Sequence, residues 1–271
     1  MSQTKPIGIF DSGIGGLTVA NAVISRLPKE QIIYFGDTVH LPYGDKSKDS
    51  INYYALRITR YLLDKGCKAI VIACNTASAA AYRTLVDFFD RETIIVNVVD
   101  PLVEAAIKRN ARKVGIIGTK LTIESGVYQQ QLHTLAPEME VTALPTPLLA
   151  PMIEEGFINN SVSNVVLKEY LHHAMFDGMD ALLLACTHYA LIKPQIQDLL
   201  PGVEIIDTAD TTARYLQRQL SEHQLLNTFP QQEEHHFIVS DFTPTFEETT
   251  ALFFKDAVHL EEDNIWRQQK W

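Results

Sequence analysis

The sequence predicts an α/β protein built as two similar doubly wound α/β domains, related by a pseudo-two-fold and facing each other across a cleft. Three observations predict it. The run 69–73 is unbroken apolar and rich in β-branched residues. Such a run suits a parallel strand buried on both faces. Apolar runs of this kind alternate along the chain with segments of helical periodicity, and that alternation builds βαβ units. The chain also repeats itself weakly. Asp180-Ala181-Leu182-Leu183-Leu184-Ala185-Cys186-Thr187-His188 matches Lys68-Ala69-Ile70-Val71-Ile72-Ala73-Cys74-Asn75-Thr76 position by position, and Val114-Gly115-Ile116-Ile117-Gly118-Thr119 echoes Ile7-Gly8-Ile9-Phe10-Asp11-Ser12. The copies run from about Ile7 to Val99 and from about Val114 to Ile206. A repeat of roughly 110 residues is too long for a solenoid and fits two domains. We expect residues 1–98 with 208–271 to form the first domain, and 99–207 the second.

Composition narrows the class. A chain of 271 residues allows one large domain or two modest ones, and with 46% hydrophobic and 21% charged residues it can bury a sizeable core. It carries 33 acidic residues against 23 basic ones, a net charge of −10. No Lys/Arg cluster stands out, so nucleic acid and anionic membranes are disfavoured as partners. The first residues lead straight into an apolar run without a signal-peptide layout. No apolar stretch approaches the ~20 residues of a membrane span. Three cysteines, Cys67, Cys74 and Cys186, are too few and too scattered for a disulfide framework. A cytoplasmic location with free thiols is expected.

The elements follow in order. Ile7-Gly8-Ile9-Phe10 is a short strand. It runs into Asp11-Ser12-Gly13-Ile14-Gly15-Gly16 and a helix from Leu17 to Ser25. The glycine spacing is neither that of a dinucleotide loop nor that of a P-loop, so the glycines are read as permitting close backbone approach to a small ligand. Ile32-Ile33-Tyr34-Phe35 is the next strand, followed by the irregular turn Val39-His40-Leu41-Pro42-Tyr43-Gly44. Its N–H groups are free to face a ligand. His40 reads as structural. Ile51, Tyr54, Ala55, Ile58 and Leu62 mark a crossover helix from Ser50 to Lys65. The Cys74 strand then ends where Asn75, Thr76 and Ser78 favour a helix start. A strand over 93–99 closed by Asp100-Pro101, a helix over 102–109, strands at 114–119, 141–144 and 180–185, and Glu154-Glu155-Gly156 in a helical context complete the repeat. Beyond it lie a strand end at 205–208, a helix from Thr211 to Leu220, a polar loop over 222–234, a strand at 236–241 and an amphipathic helix with Phe246, Leu252 and Phe253. These tail elements have no counterpart in the second copy and are expected to cover the first domain.

Each copy delivers one cysteine to the carboxyl end of the equivalent strand, where open α/β sheets bind ligands. A single cysteine there is most often a buried packing residue; the matched pair argues for chemistry. Cys186 with His188 could act as a hydrolytic nucleophile and base, but two residues apart the side chains need not meet, and a second cysteine would have no task. Zinc wants four ligands at recognisable spacing, which are missing, and no metal is expected. A Cys74–Cys186 redox disulfide lacks the usual spacing. Racemisation of an α-amino acid suits two opposed thiols better. One thiolate removes the α-proton from one face and one thiol returns a proton to the other, and a thiol pKa near ~8.5 makes both forms accessible. No lysine stands where it would mark pyridoxal phosphate, so no cofactor is expected. The developing carbanion then needs preorganised donors. Asn75, Thr76, Thr119, Thr187 and the Tyr43-Gly44 backbone can supply them.

Ile9-Phe10-Asp11-Ser12-Gly13-Ile14-Gly15-Gly16, Asp37-Thr38-Val39-His40-Leu41-Pro42-Tyr43-Gly44, Ala73-Cys74-Asn75-Thr76-Ala77-Ser78 and Ala185-Cys186-Thr187-His188-Tyr189 resemble the motifs of bacterial glutamate racemases, of the aspartate/glutamate racemase superfamily. Gly118-Thr119 and Pro151-Met152-Ile153-Glu154-Glu155-Gly156 fit more loosely. The resemblance covers nearly the whole chain. It implies a cofactor-free enzyme of two α/β domains that interconverts L- and D-glutamate and supplies D-glutamate for peptidoglycan. It implies that Cys74 acts on D-glutamate and Cys186 on L-glutamate, with Asp11, Glu154 and His188 assisting proton transfer. Asp11, Ser12, Pro42, Tyr43, Gly44, Asn75, Thr76, Thr119, Thr187 and His188 would contact substrate beside the two cysteines, and a homodimer is expected. Cys67 matches nothing and reads as packing. An aspartate-type racemase, or a thiol-dependent amidase or isomerase on the same scaffold, remains an alternative. A two-domain solute-binding protein is disfavoured by the missing signal peptide.

Overall fold

The computed structural model describes residues 2–89, 91–230, 233–243, 250–254 and 258–267. Ten strands form two parallel sheets among them. The first half gives β1 (Ile7–Asp11), β2 (Ile32–Gly36), β3 (Ala69–Ile72) and β4 (Ile94–Asn97), with α1 (Leu17–Arg26), α2 (Lys48–Asp64) and α3 (Asn75–Phe89) between them. The second half begins with α4 (Val99–Lys108) and carries β5 (Lys113–Gly118), β6 (Glu140–Pro145), β7 (Ala181–Ala185) and β8 (Glu204–Asp207). Its helices are α5 (Lys120–Glu124), α6 (Val127–Leu135), α7 (Leu149–Glu154), α8 (Ser161–Leu171) and α9 (Lys193–Leu199). The tail supplies α10 (Thr208–Glu222), β9 (His236–Val239) and β10 (Leu260–Glu262).

The sheet orders are β10-β9-β2-β1-β3-β4 and β6-β5-β7-β8. Removing the tail strands leaves the same order in both halves. The register repeats as well. Ile7 pairs with Ile32 and Ala69, and its equivalent Val114 pairs with Val141 and Ala181. The weak sequence repeat is therefore a repeat of topology. In each half the chain reverses its direction of winding between the first strand and the third. Side by side, β1 and β3 make one such switch point, β5 and β7 the other, and ligands in doubly wound sheets sit outside the strand ends there.

Alternate side chains of the central strands enter different cores. Ile7, Ile9, Ala69 and Val71 join Leu182, Leu184, Leu216 and Leu220 in one cluster that runs through both halves, while Phe10, Ile70, Ile72, Ile58 and Leu62 pack on the other face of the first sheet. Ala181, Leu183 and Ile116 fill the outer face of the second sheet with Val103 and Tyr128. Cys67 is buried in the first outer cluster, as its packing role requires.

Several boundaries differ from the sequence expectation, for local reasons. The strand expected to reach Val99 stops at Asn97, because the Asn97 side-chain oxygen Oδ1 accepts from the Val99 and Asp100 N–H groups at 2.7 and 2.8 Å and α4 starts there. Pro101 falls in the first helical turn, where its missing N–H costs nothing, so the helix does not wait until Leu102. The helix after β8 begins at Thr208 rather than Thr211, because Asp207 accepts from Ala209 and Asp210. The tail strands extend the first sheet: β9 pairs with β2, and β10 pairs with β9 at the edge. Of the last expected helix, residues 250–253 are helical, and Phe246 lies outside the described residues. No helix among the described residues is long and apolar enough to cross a membrane.

Candidate active site

The carboxyl ends of β1, β3, β5 and β7 surround a cavity of about 70 Å³. Its walls are Ser12, Gly13, Leu41, Pro42, Tyr43, Gly44, Cys74, Asn75, Thr76 and Thr119, closed by Ala150, Pro151, Glu154, Cys186, Thr187 and His188. Larger surface grooves, of about 440 Å³ beside Lys29 and Phe229 and about 430 Å³ beside Tyr82 and His223, contain neither thiol. The small cavity brings together every site residue singled out from the sequence except Asp11.

Cys74 is the residue before α3, and its sulfur caps the helix: the Ala77 N–H points at Sγ at 3.4 Å. A helix start favours a thiolate. Here the rest of the surroundings outweigh it. Burial, with the Asp11 carboxylate close by, pushes the Cys74 thiol well above its ordinary value. The thiol donates toward Ser12 Oγ at 3.8 Å. Asp11, the last residue of β1, is fully buried behind the cavity wall. The Gly16 N–H donates to its Oδ2 at 2.7 Å, and Oδ1 has no hydrogen-bond partner among the described residues. Burial raises the Asp11 carboxyl, against the opposing pull of His188 and of the Gly16 N–H. Asp11 thus lies close to Cys74 but does not form the cavity surface.

Cys186 sits differently. The chain after β7 enters a short 3-10 helix, Thr187–Ile192, and the tight turn folds His188 back on the cysteine. Its Nδ1 lies 3.7 Å from Cys186 Sγ, so the two side chains meet despite their close spacing in sequence. Its Nε2 lies 2.9 Å from Oε1 of Glu154, at the end of α7. Burial lowers the imidazole, but Cys186 and Glu154 outweigh burial and lift it to about 10. His188 thus lies between the Cys186 sulfur and the Glu154 carboxylate, both of which favour its protonated form. Gly15 explains how the first half approaches so closely. A Cβ there would lie 2.4 Å from His188 Cε1 and 2.7 Å from Thr187 Oγ1.

The floor of the cavity is polar and joins the halves. Oγ1 of Thr76, on α3, lies 2.9 Å from Thr119 Oγ1 and 3.2 Å from Thr122 Oγ1 across the junction. Gly44 packs against Thr119, where an added Cβ would come within 3.3 Å. The Tyr43 hydroxyl donates to Asp37 at 2.7 Å, so Tyr43 offers the cavity its backbone and ring edge rather than its phenol. His40 also binds Asp37, at 2.9 Å, and stacks on Tyr54, which fits its structural reading. Gly13, Leu41, Ala150 and Pro151 line the cavity without having been given a site role. Phe253 of the tail sets its ring edge against His188, with centroids 5.3 Å apart. Among the described residues no group of three or more His, Cys, Asp or Glu is placed to hold a metal ion.

Two like parallel sheets that bring matched cysteines to one cavity, each with its own ionisable neighbour, define a two-domain α/β enzyme of proton-transfer type. Known proteins of this build agree. The Asp/Glu/Hydantoin racemase family matches residues 18–216. A glutamate racemase of Neisseria meningitidis is 40% identical over 91% of this chain and 91% of its own length. The crystal structure of glutamate racemase from Francisella tularensis in complex with D-glutamate superposes with a TM-score of 0.90 at 38% identity, covering 96% of this chain and 98% of that one. The Thermus thermophilus glutamate racemase in complex with β-chloro-D-alanine gives 0.88 at 37% identity, covering 98% and 99%. The chain belongs to the Asp/Glu/Hydantoin racemase family.

Proposed function

We propose that this chain interconverts L- and D-glutamate by a two-base mechanism without a cofactor, and supplies D-glutamate for peptidoglycan. The observation that carries the reading is the pair of thiols at equivalent strand ends of one cavity. The relatives named above act on glutamate, which favours it over aspartate as substrate. The first domain, 1–98 with 208–271, carries Cys74, and the second, 99–207, carries Cys186.

With L-glutamate bound, the Cys186 thiolate takes the α-proton, and the electron pair of the broken C–H bond passes to the α-carbon and its carboxylate. The Cys74 thiol then gives its proton to the opposite face, leaving D-glutamate, a Cys186 thiol and a Cys74 thiolate. The reverse reaction begins from that state. His188, paired with Glu154, stabilises the Cys186 thiolate. Asp11 holds a proton where Cys74 can draw on it. Hydroxyls of Ser12, Thr76, Thr119 and Thr187, the Asn75 amide and the N–H groups of Tyr43 and Gly44, in the turn that Pro42 opens, hold the two carboxylates. A cytoplasmic location and a homodimer complete the proposal.

The test is turnover in deuterated water. L-glutamate should give D-glutamate that carries deuterium at the α-carbon, while unreacted L-glutamate stays protiated early on. Aspartate should turn over poorly. Cys74→Ala and Cys186→Ala should each abolish racemisation. Early product that keeps the substrate hydrogen, or a single-cysteine variant that still racemises, would overturn the mechanism.

A further inference from the structure

Tyr128 lies on α6 in the second half, fully buried in the outer core of the second sheet. Its hydroxyl leaves that core and crosses to the first half, where it donates to Asn75 Oδ1 at 2.5 Å. Burial keeps the phenol protonated, since it raises Tyr128 well above its ordinary value. Asn75 is the first residue of α3, is 2% exposed, and lines the cavity beside Cys74. Its Nδ2 is buried and has no hydrogen-bond partner among the described residues. A buried amide donor left in this state is costly, so it is built for a partner that arrives. With Oδ1 held by Tyr128, the side chain cannot turn over to offer its oxygen. We propose that Tyr128 is a positioning residue, whose hydroxyl fixes the Asn75 amide so that Nδ2 faces a substrate carboxylate.

The inference rests on the reading of the cavity as a glutamate site. An Asn75 free to flip would present Oδ1 to an anion for part of the time, and acceptor against acceptor repels. Tyr128 removes that state. It does so from the opposite half, so the donor is set only where the two halves meet. Tyr128 touches neither thiol's partner, Asp11 nor His188, in any hydrogen bond given by the structure. Its loss should therefore weaken binding while leaving proton transfer nearly unchanged.

The experiment compares Tyr128→Phe, Asn75→Ala, the double variant and Asn75→Asp, with KM and kcat measured in both directions and melting followed alongside. Tyr128→Phe keeps the ring in its core. It should raise KM about tenfold with kcat within about twofold, the usual scale of one buried hydrogen bond. In the Asn75→Ala background the same change should move KM by less than about twofold, because Tyr128 acts through Asn75. Asn75→Asp still accepts from Tyr128 but has lost the donor, so its KM should rise at least as far as that of Asn75→Ala. That variant decides the matter if Tyr128→Phe fails to fold. Unmoved KM in Tyr128→Phe, effects that multiply in the double variant, or wild-type KM in Asn75→Asp would overturn the proposal. A wild-type protein with no glutamate racemisation would instead remove the functional reading beneath it.

Discussion

Replacing His188 with asparagine removes the cation that stands between Cys186 and Glu154. The magnitude follows from the structure. His188 is lifted from 6.5 to about 10 although burial opposes charge. At about 1.4 kcal/mol per tenfold change, that is on the order of 5 kcal/mol of preference for the protonated ring, shared between the two anions. His188→Asn removes that charge from beside the Cys186 sulfur and leaves Glu154 without its partner. On the proposed mechanism, with Cys186 as base for L-glutamate, kcat in that direction should fall at least about tenfold near pH 8. The equilibrium constant between enantiomers is one, so kcat/KM must remain equal in the two directions. The asymmetry appears in kcat and KM separately.

The assay is initial rate by polarimetry in both directions across pH 7 to 9.5. Wild-type kcat for L-glutamate should change little there, because the imidazolium is retained until about pH 10. The variant should lose that plateau, because it has no imidazolium across this range. Stability gives a second reading. A folded-state value raised above the unfolded one contributes stability that is whole below about 6.5 and is lost as pH climbs through about 10. Wild-type unfolding free energy should therefore fall more than the variant's between those limits. A variant with wild-type kcat and a flat pH profile would refute the thiolate–imidazolium pair.

Two further changes test the frame around the site. Gly15→Ala would put a methyl group 2.6 Å from His188 Nδ1. The ring must then shift from Cys186, and kcat for L-glutamate should drop at least about tenfold; wild-type kinetics would show that the close approach is dispensable. Lys68→Met should destabilise without touching the site. Lys68 Nζ lies 2.5 Å from Glu30 Oε2 with both side chains buried, and it also donates to the Gln3 carbonyl. Leaving Glu30 without its partner should cost about 3 to 5 kcal/mol in denaturant unfolding, with kcat of the folded enzyme unchanged. A loss under about 1 kcal/mol would mean that Glu30 finds another partner.

The central strands were legible because burial on both faces writes a continuous apolar run, and because the repeat showed each one twice. Strand β10 was not, since Leu260-Glu261-Glu262 has a single apolar residue and the two glutamates are exposed at a sheet edge. The cavity wall was largely legible because its residues cluster at strand ends. Tyr128 was not. It lies in α6, whose residues Val127–Leu135 carry no site motif, and its meaning lies in a contact 53 positions away. Phe253 against His188 is hidden for the same reason. The contact of His188 with Cys186 depends on the tight 3-10 turn after β7, which residue spacing alone does not specify.

The repeat also predicts two equivalent thiols, and the structure makes them unequal at identifiable positions. Where the first copy has Asp11 at the end of its first strand, the second has Gly118. Where the second has His188 two residues past its cysteine, the first has Thr76, which is held by the hydroxyls of Thr119 and Thr122. One thiol is therefore set beside a buried acid and pushed toward its protonated form, while the other is set beside a buried cation. Racemisation needs one thiolate and one thiol at the moment substrate binds. A symmetric pair would have to reach that state by chance titration, whereas on the proposed mechanism these two departures from symmetry favour it in advance, with the Cys186 side as base for L-glutamate. Matched strand ends bring one sulfur from each half to the cavity, and on the proposed mechanism the unmatched Asp11 and His188 set the two thiols apart.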